Sequence, residues 1–245
     1  MWYNKGMRLD KCLEKAGLGS RNQVKKLLKA QQVTVDGRLA RAGNQIVDPG
    51  LQVIEVRGKR VELESPVYYL LNKPAGVVSA VSDAQHQTVI DLIAEKDRRS
   101  GLYPIGRLDR DTEGLLLITN NGPLGFRMLH PQYHVDKVYY VEVNGMLALD
   151  AVAFFREGVR FLDGRVCQPA RLEILSAERT ASRARLQIAE GKFHQVKKRF
   201  LAYGVKVTYL KRISFAAFVL EEELSAGSYR TLTNQEKEIL KQYLD

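Results

Sequence analysis

Gly106-Arg107-Leu108-Asp109-Arg110-Asp111-Thr112-Glu113-Gly114-Leu115-Leu116-Leu117-Ile118-Thr119-Asn120-Asn121-Gly122 sets a polar loop, dense in arginine and aspartate, directly against an apolar run. Leu115 to Ile118 read as a strand and Asn121-Gly122 as the turn that ends it. Asp109 therefore lies at the mouth of a strand between Arg107 and Arg110, where a carboxylate is a candidate catalytic group. The same spacing also suits a surface loop in which Asp109 and Asp111 pair with Arg107 and Arg110.

Outward from that loop, strands and helices follow one another without regular alternation. Upstream, Val67 to Asn72 is strand-like and leads to Lys73-Pro74-Ala75-Gly76, and Thr88 to Ala94 has helical character. Downstream, Lys137-Val138-Tyr139-Tyr140-Val141-Glu142-Val143 has strong strand propensity. Alternation puts Tyr139 and Tyr140 on opposite faces, so that one lines a cleft and the other, Tyr140, packs in the core. The pattern predicts an α+β fold. The chain contains neither a Gly-x-Gly-x-x-Gly loop nor a Walker-type loop, so nucleotide cofactors have no support.

Nearer the N-terminus, Leu9, Cys12, Leu13 and Ala16 keep helical spacing until Gly17-Leu18-Gly19. Ser20 is a good N-cap for a second helix carrying Val24, Leu27 and Leu28, and Val33-Thr34-Val35-Asp36-Gly37 reads as a strand and hairpin. Glu62 to Pro66 is a polar linker. The expected division is a small domain of residues 1–64 on a flexible tether and a larger one of 65–245.

The chain has 245 residues, 45% of them hydrophobic, enough for a real core. Its net charge is +10, and residues 1–64 carry thirteen Lys or Arg against seven Asp or Glu. Such an excess favours polyanionic partners, nucleic acid first. Arg8 and the face shared by Arg21, Lys25 and Lys29 are candidate RNA contacts, as is the stretch from Lys192 to Arg212, which includes Lys197, Lys198, Arg199 and Arg212 and no acidic residue. A solvated basic face is the plain alternative. No apolar run approaches the length of about 20 residues that spans a bilayer. Residues 1–6 lack the apolar core of a signal peptide, so a cytoplasmic protein is expected. Cys12 and Cys167 are isolated, and Pro131 interrupts any helix that would align His130 with His134, so no metal site is expected.

Three segments in order resemble the RsuA branch of the pseudouridine synthases: the Asp109 loop, Lys137-Val138-Tyr139, and Glu190-Gly191-Lys192-Phe193-His194-Gln195-Val196-Lys197-Lys198-Arg199. Residues 7–37, with Arg8-Leu9-Asp10-Lys11, Gly17, Ser20-Arg21 and Val33 to Gly37, resemble the S-4 RNA-binding domain. The resemblance runs from Met7 to about Thr233. It implies a mixed, mainly antiparallel catalytic domain behind a small S-4-like one. It casts Asp109 as the essential aspartate, Tyr139 as the aromatic that stacks on the target base, Lys197 as the basic partner of Asp109, and Arg107 as the arginine that holds the everted nucleotide or fills its place. It departs from the pattern at Phe193, where Tyr or Thr is common, and at Ala216, where relatives often carry Gly.

The implied reaction breaks the uridine N1–C1′ bond, turns the uracil and joins C5 to C1′, with the carboxylate as nucleophile or base. It needs no redox cofactor. The loop Leu71 to Ala80 with Asp83, His86 and Thr88-Val89 looks closer to the branch acting on 16S rRNA than to the large-subunit branches, so the expected partner is ribosomal RNA, 16S first and 23S as the alternative, and a monomer acting on a pre-ribosomal particle, away from membranes, is expected. A noncatalytic RNA-binding or ribosome-assembly protein is the rival, against which the joint presence of Asp109, Tyr139 and Lys197 argues.

Overall fold

The computed structural model describes residues 7–40, 42–63, 65–161 and 164–244. Residues 1–6, read above as no signal peptide, lie outside them. Two helices, α1 (Leu9–Lys15) and α2 (Arg21–Lys29), precede four short strands, β1 (Val33–Val35), β2 (Arg38–Leu39), β3 (Ile54–Val56) and β4 (Lys59–Arg60). The strands form a sheet in the order β2-β1-β3-β4. Ser20 heads α2 as its sequence suggests, its backbone N–H donating to Gln23 Oε1 at 2.7 Å. Leu9, Cys12, Leu13 and Val24 bury their side chains against Val33, Val35, Ile54 and Val56.

The second sheet begins with β5 (Tyr68–Lys73) and continues through β6 (Tyr103–Ile105), β7 (Glu113–Thr119), β8 (Lys137–Val143), β9 (Arg171–Ala177), β10 (Ser182–Ile188), β11 (Val207–Phe215), β12 (Phe218–Val219) and β13 (Tyr229–Thr231). Its order is β13-β5-β7-β11-β8-β10-β9, with β6 on β7 and β12 on β11. Among the described strands of this sheet only β7 and β11 run parallel; every other pairing is antiparallel. Around it lie α3 (Gly122–Leu129), α4 (Asp150–Arg156), α5 (Gln195–Tyr203) and α6 (Asn234–Lys241). None of the helices among the described residues is long and apolar enough to cross a membrane.

The unbroken apolar run of β7 follows from covering on both faces. Leu115 and Leu117 join Tyr68, Leu70 and Phe215 in one core cluster, while Leu116 and Ile118 join Tyr69, Leu71 and Val89 in another. A strand with polar residues on one side could not sit there. At the parallel contact Gly114 faces Arg212, and a Cβ on Gly114 would stand 2.2 Å from the Arg212 carbonyl oxygen, so no other residue fits.

Three expectations need correction. Thr88 to Ala94 is a series of turns rather than a helix, because Thr88 N–H and Oγ1 both donate to Asp91 Oδ2 at 2.8 Å and tie the segment locally. Tyr140 is half-buried on the outer face, its hydroxyl donating to Glu142 at 2.8 Å, and it is Tyr139 that is buried. Nor does the small N-terminal unit hang on a loose tether. Buried Asp48 accepts hydrogen bonds from the Tyr68 hydroxyl, from Asn121 Nδ2 at 2.5 Å and from Gly50 N–H at 2.7 Å, and Lys241 on α6 pairs with Asp36 at 3.0 Å. Burial pushes the Asp48 carboxyl up and these donors pull it back.

Candidate active site

The Asp109 loop is held from beneath. Lys73, fully buried at the end of β5, donates from Nζ to the carbonyls of Thr112 at 2.7 Å, Pro74 at 3.0 Å and Arg110 at 3.2 Å. Burial draws its pKa down to about 8, against the pull of Asp111, Asp109 and Glu113. Gly76 N–H adds a bond to the Arg110 carbonyl at 2.8 Å. Ser79 Oγ donates to the Leu108 carbonyl at 2.9 Å and accepts from Leu108 N–H at 3.0 Å. The backbone on both sides of Asp109 is therefore fixed by the loop after β5, and Thr112 N–H closes the turn onto the Asp109 carbonyl at 3.0 Å.

Asp109 opens onto a cleft of about 1020 Å³ lined by Arg107, Lys137, Tyr139, Lys197 and Arg212, with Val78 to Ala80 on one wall and Ile188 to Val196 on another. Lys197 Nζ stands 3.4 Å from Asp109 Oδ2 and 2.6 Å from Asp111 Oδ1. It thus serves both carboxylates, and its hydrogen bond holds the Asp111 carboxyl below the usual range. Lys197 lies in the first turn of α5, where the helix dipole disfavours a cation; two aspartates offset that. His194 Nε2 is 3.6 Å from Asp109 Oδ1, and its ring stacks on Phe193 at 3.7 Å between centroids. His194 takes a left-handed backbone, φ 51°, immediately before α5. The turn around it is tied by Lys192 N–H to Gln195 Oε1 at 2.6 Å and by Gln195 Nε2 to Glu190 at 2.5 Å.

Asp109, Tyr139, Lys197 and Arg107, from three segments of the sequence, are thus brought together around one cleft. The other candidates scatter. Arg21 and Lys25 are exposed on α2, and Arg8 pairs with Asp10 at 2.5 Å. Lys198 is half-buried, its ammonium 5.7 Å from the ring centroids of both Phe161 and Phe193. The expected basic track from Lys192 to Arg212 is not one surface. Arg199 is fully buried, donating to Glu190 at 2.9 Å and to the Gln168 carbonyl at 2.6 Å, and Arg212 is buried with Nε on the Leu115 carbonyl at 2.8 Å. Arg212 is therefore part of the cleft floor rather than an outer phosphate contact. Ala216 adopts φ 54°, the left-handed conformation that favours glycine, at the turn from β11 to β12.

Lys73 and Lys137 were not singled out as functional groups from the sequence. A lysine closing an apolar run just before Pro74, and a lysine two residues from Tyr139 on the same strand face, were the available signals.

Comparison with known proteins gives the family. The family model described as RNA pseudouridylate synthase matches residues 67–202, and the S4 domain model matches residues 7–53. The chain is 41% identical to an uncharacterized RNA pseudouridine synthase, YtzG, of Bacillus subtilis (96% of this chain, 98% of that protein). It is 38% identical to ribosomal large subunit pseudouridine synthase B of Bacillus subtilis (97% of each). It is 35% identical to ribosomal small subunit pseudouridine synthase A of Yersinia pestis (94% and 96%). A crystal structure of a pseudouridylate synthase, 33% identical, superposes with a TM-score of 0.66 over 96% of this chain and 100% of that one.

Proposed function

This chain belongs to the RNA pseudouridylate synthase family, isomerases acting on uridines in RNA, and from that membership we propose that it converts one uridine of 16S ribosomal RNA. The observation that carries the chemistry is the ion pair of Asp109 with Lys197 at 3.4 Å, at the mouth of a cleft containing the Tyr139 ring. Asp109 acts as nucleophile or base with the Lys197 ammonium beside it, and Tyr139 takes one face of the everted uracil, a stack worth about 1–3 kcal/mol. That gain offsets the few kcal/mol that flipping costs. Arg107, exposed on the rim, holds the strand around the vacated position. Substrate and product are isomers, so the reaction consumes no cofactor. In this reading the protein acts as a monomer in the cytoplasm, where ribosomal RNA is assembled.

The choice of 16S RNA rests on the loop from Leu71 to Ala80 with His86, part of which walls the cleft. Val78 to Ala80 line it, and Arg110 Nη1 meets His86 Nε2 at 3.0 Å. A 23S target is favoured instead by the 38% identity to a large-subunit enzyme. Mapping pseudouridine at nucleotide resolution in ribosomal RNA from a deletion strain tests this: one position lost from 16S RNA is expected. Loss confined to 23S RNA overturns the subunit, and no loss in any RNA overturns the activity.

The S4-like unit, residues 1–64 in our division, supplies phosphate contacts through Arg21 and Lys25. The double variant Arg21→Ala/Lys25→Ala is expected to weaken RNA binding and reduce the slope of log affinity against log salt by about 0.7 to 0.9 per lost contact. Titrations at several salt concentrations check it; an unchanged slope marks α2 as solvated surface only.

A further inference from the structure

We propose that Lys137 and Arg212 form a cationic cradle in the cleft floor that takes up the negative charge uracil acquires as its bond to C1′ breaks. The proposal rests on the uridine-isomerising reading above and adds two catalytic residues to it.

Strand register builds the cradle. Lys137 and Tyr139 are two apart on β8 and share a face. On the neighbouring β11, Arg212 stands opposite Tyr139 and Phe215 opposite Lys137, with a bulge between Arg212 and Ser214. The extra residue matters: without it Arg212 and Phe215, three apart, would point to opposite faces. With it, the Arg212 guanidinium lies 4.9 Å and the Lys137 ammonium 5.6 Å from the same Phe215 ring centroid. Both cations line the cleft together with Tyr139 and Asp109.

Neither cation forms an ion pair among the described residues. Arg212 spends Nε on the Leu115 carbonyl, and its Nη2 is buried with no partner. Lys137 donates one hydrogen bond, to the Val135 carbonyl at 2.7 Å. Asp136, the acid nearest in sequence, accepts from Gln187 Nε2 at 2.9 Å. Burial lowers the pKa of Arg212, and burial together with the neighbouring Arg212 lowers that of Lys137. A buried arginine with an unfilled donor beside a half-buried lysine makes a poor structural device and a ready site for an anion that the ligand brings.

That anion is the base rather than a backbone phosphate. Arg212 is 2% exposed and lies beside Tyr139, where the base stacks, whereas Lys192, which also lines the cleft, is exposed and better placed for a phosphate. Uridine enters neutral, with carbonyl oxygens O2 and O4. When the N1–C1′ bond breaks, its electron pair leaves with the uracil and spreads over N1, O2 and O4; attack of Asp109 on C6 would likewise push charge onto O4. C5 then bonds to C1′, the C5 proton is lost, N1 gains one, and the product is neutral again. Donors already fixed at those oxygens bind the charged stage far better than the neutral one, and that difference is what accelerates a reaction.

The test compares Lys137→Gln, Lys137→Arg and Arg212→Lys with the parent, measuring single-turnover rate on a ribosomal RNA fragment carrying the mapped uridine and RNA affinity across salt concentrations. Lys137→Gln is expected to slow the bond-changing step by about 10²–10³-fold with affinity and salt slope unchanged, the loss typical of one removed oxyanion donor. Lys137→Arg should recover most of the rate. Because Lys137 is only half-buried, its variants keep the fold if Arg212→Lys does not, and matched melting temperatures check this. A Lys137→Gln enzyme with the parental rate overturns the proposal, and if its affinity and salt slope fall instead, Lys137 is a phosphate contact. A parent that isomerises no ribosomal uridine overturns the functional reading itself.

Discussion

Asp109→Asn is expected to abolish isomerisation while leaving RNA affinity close to that of the parent. The amide keeps the shape of the side chain and loses the charge that a nucleophile or base requires, a role worth about 10²–10⁴-fold for proton transfer alone. Asp109 is 28% exposed in its side chain, so the exchange opens no cavity. Lys197 retains Asp111 at 2.6 Å, which anchors the start of α5 in the variant. Affinity, which the proposed phosphate contacts elsewhere would supply, should survive. Turnover within tenfold of the parent, with unchanged binding, would mean that Asp109 is not the reacting group.

Lys73→Met should also cost activity heavily, although Lys73 does not line the cleft. Its ammonium gathers three carbonyls, two of which, Arg110 and Thr112, flank Asp111 in the loop that presents Asp109. Methionine has similar length and no donor, so buried carbonyl oxygens lose their partner at about 1–3 kcal/mol of stability. Loosening the loop by an ångström costs about 10²-fold in rate. The expected result is a lower melting temperature and a fall in kcat/KM carried by kcat. The pH dependence has a definite sign. Native Lys73 loses its proton near pH 8, below the ordinary lysine value of 10.5, so between these values the unfolded chain binds more protons and the parent gains stability from this group as pH rises. In Lys73→Met that gain should vanish from stability curves measured at pH 7 to 10; a variant with the parental slope would show that Lys73 does not titrate as its burial demands.

Local patterning made the strand after Asp109, the two N-terminal helices and the opposite facing of Tyr139 and Tyr140 readable, because each follows from a period of residues; which of the two tyrosines is buried was not. The resemblance added which of those residues share a cleft. Burial of charge was not readable. Arg212 and Arg199 look like any basic residue in a basic run, and only the register of β11 against β8 and the packing of α5 on Glu190 turn them inward. Lys73 escaped notice for the same reason, since its three partners are backbone carbonyls that carry no signature in the sequence. Thr88 to Ala94 failed as a helix because a short-range Thr88–Asp91 pairing outcompeted a weak apolar period.

The Asp48 junction carries a consequence for target choice. With that carboxylate locked to Tyr68 and Asn121, the exposed cations of α2 stand at a set span and angle from the reactive carboxylate. If α2 grips RNA as proposed, the protein would work as a caliper. An RNA would then be accepted when the feature its outer jaw grips and the uridine offered to the inner jaw are separated by that span, and a chemically identical uridine on a differently folded strand would fall outside the jaws. Selection by measurement in this way needs few contacts to base edges, and it would be lost by any change that let the jaws swing.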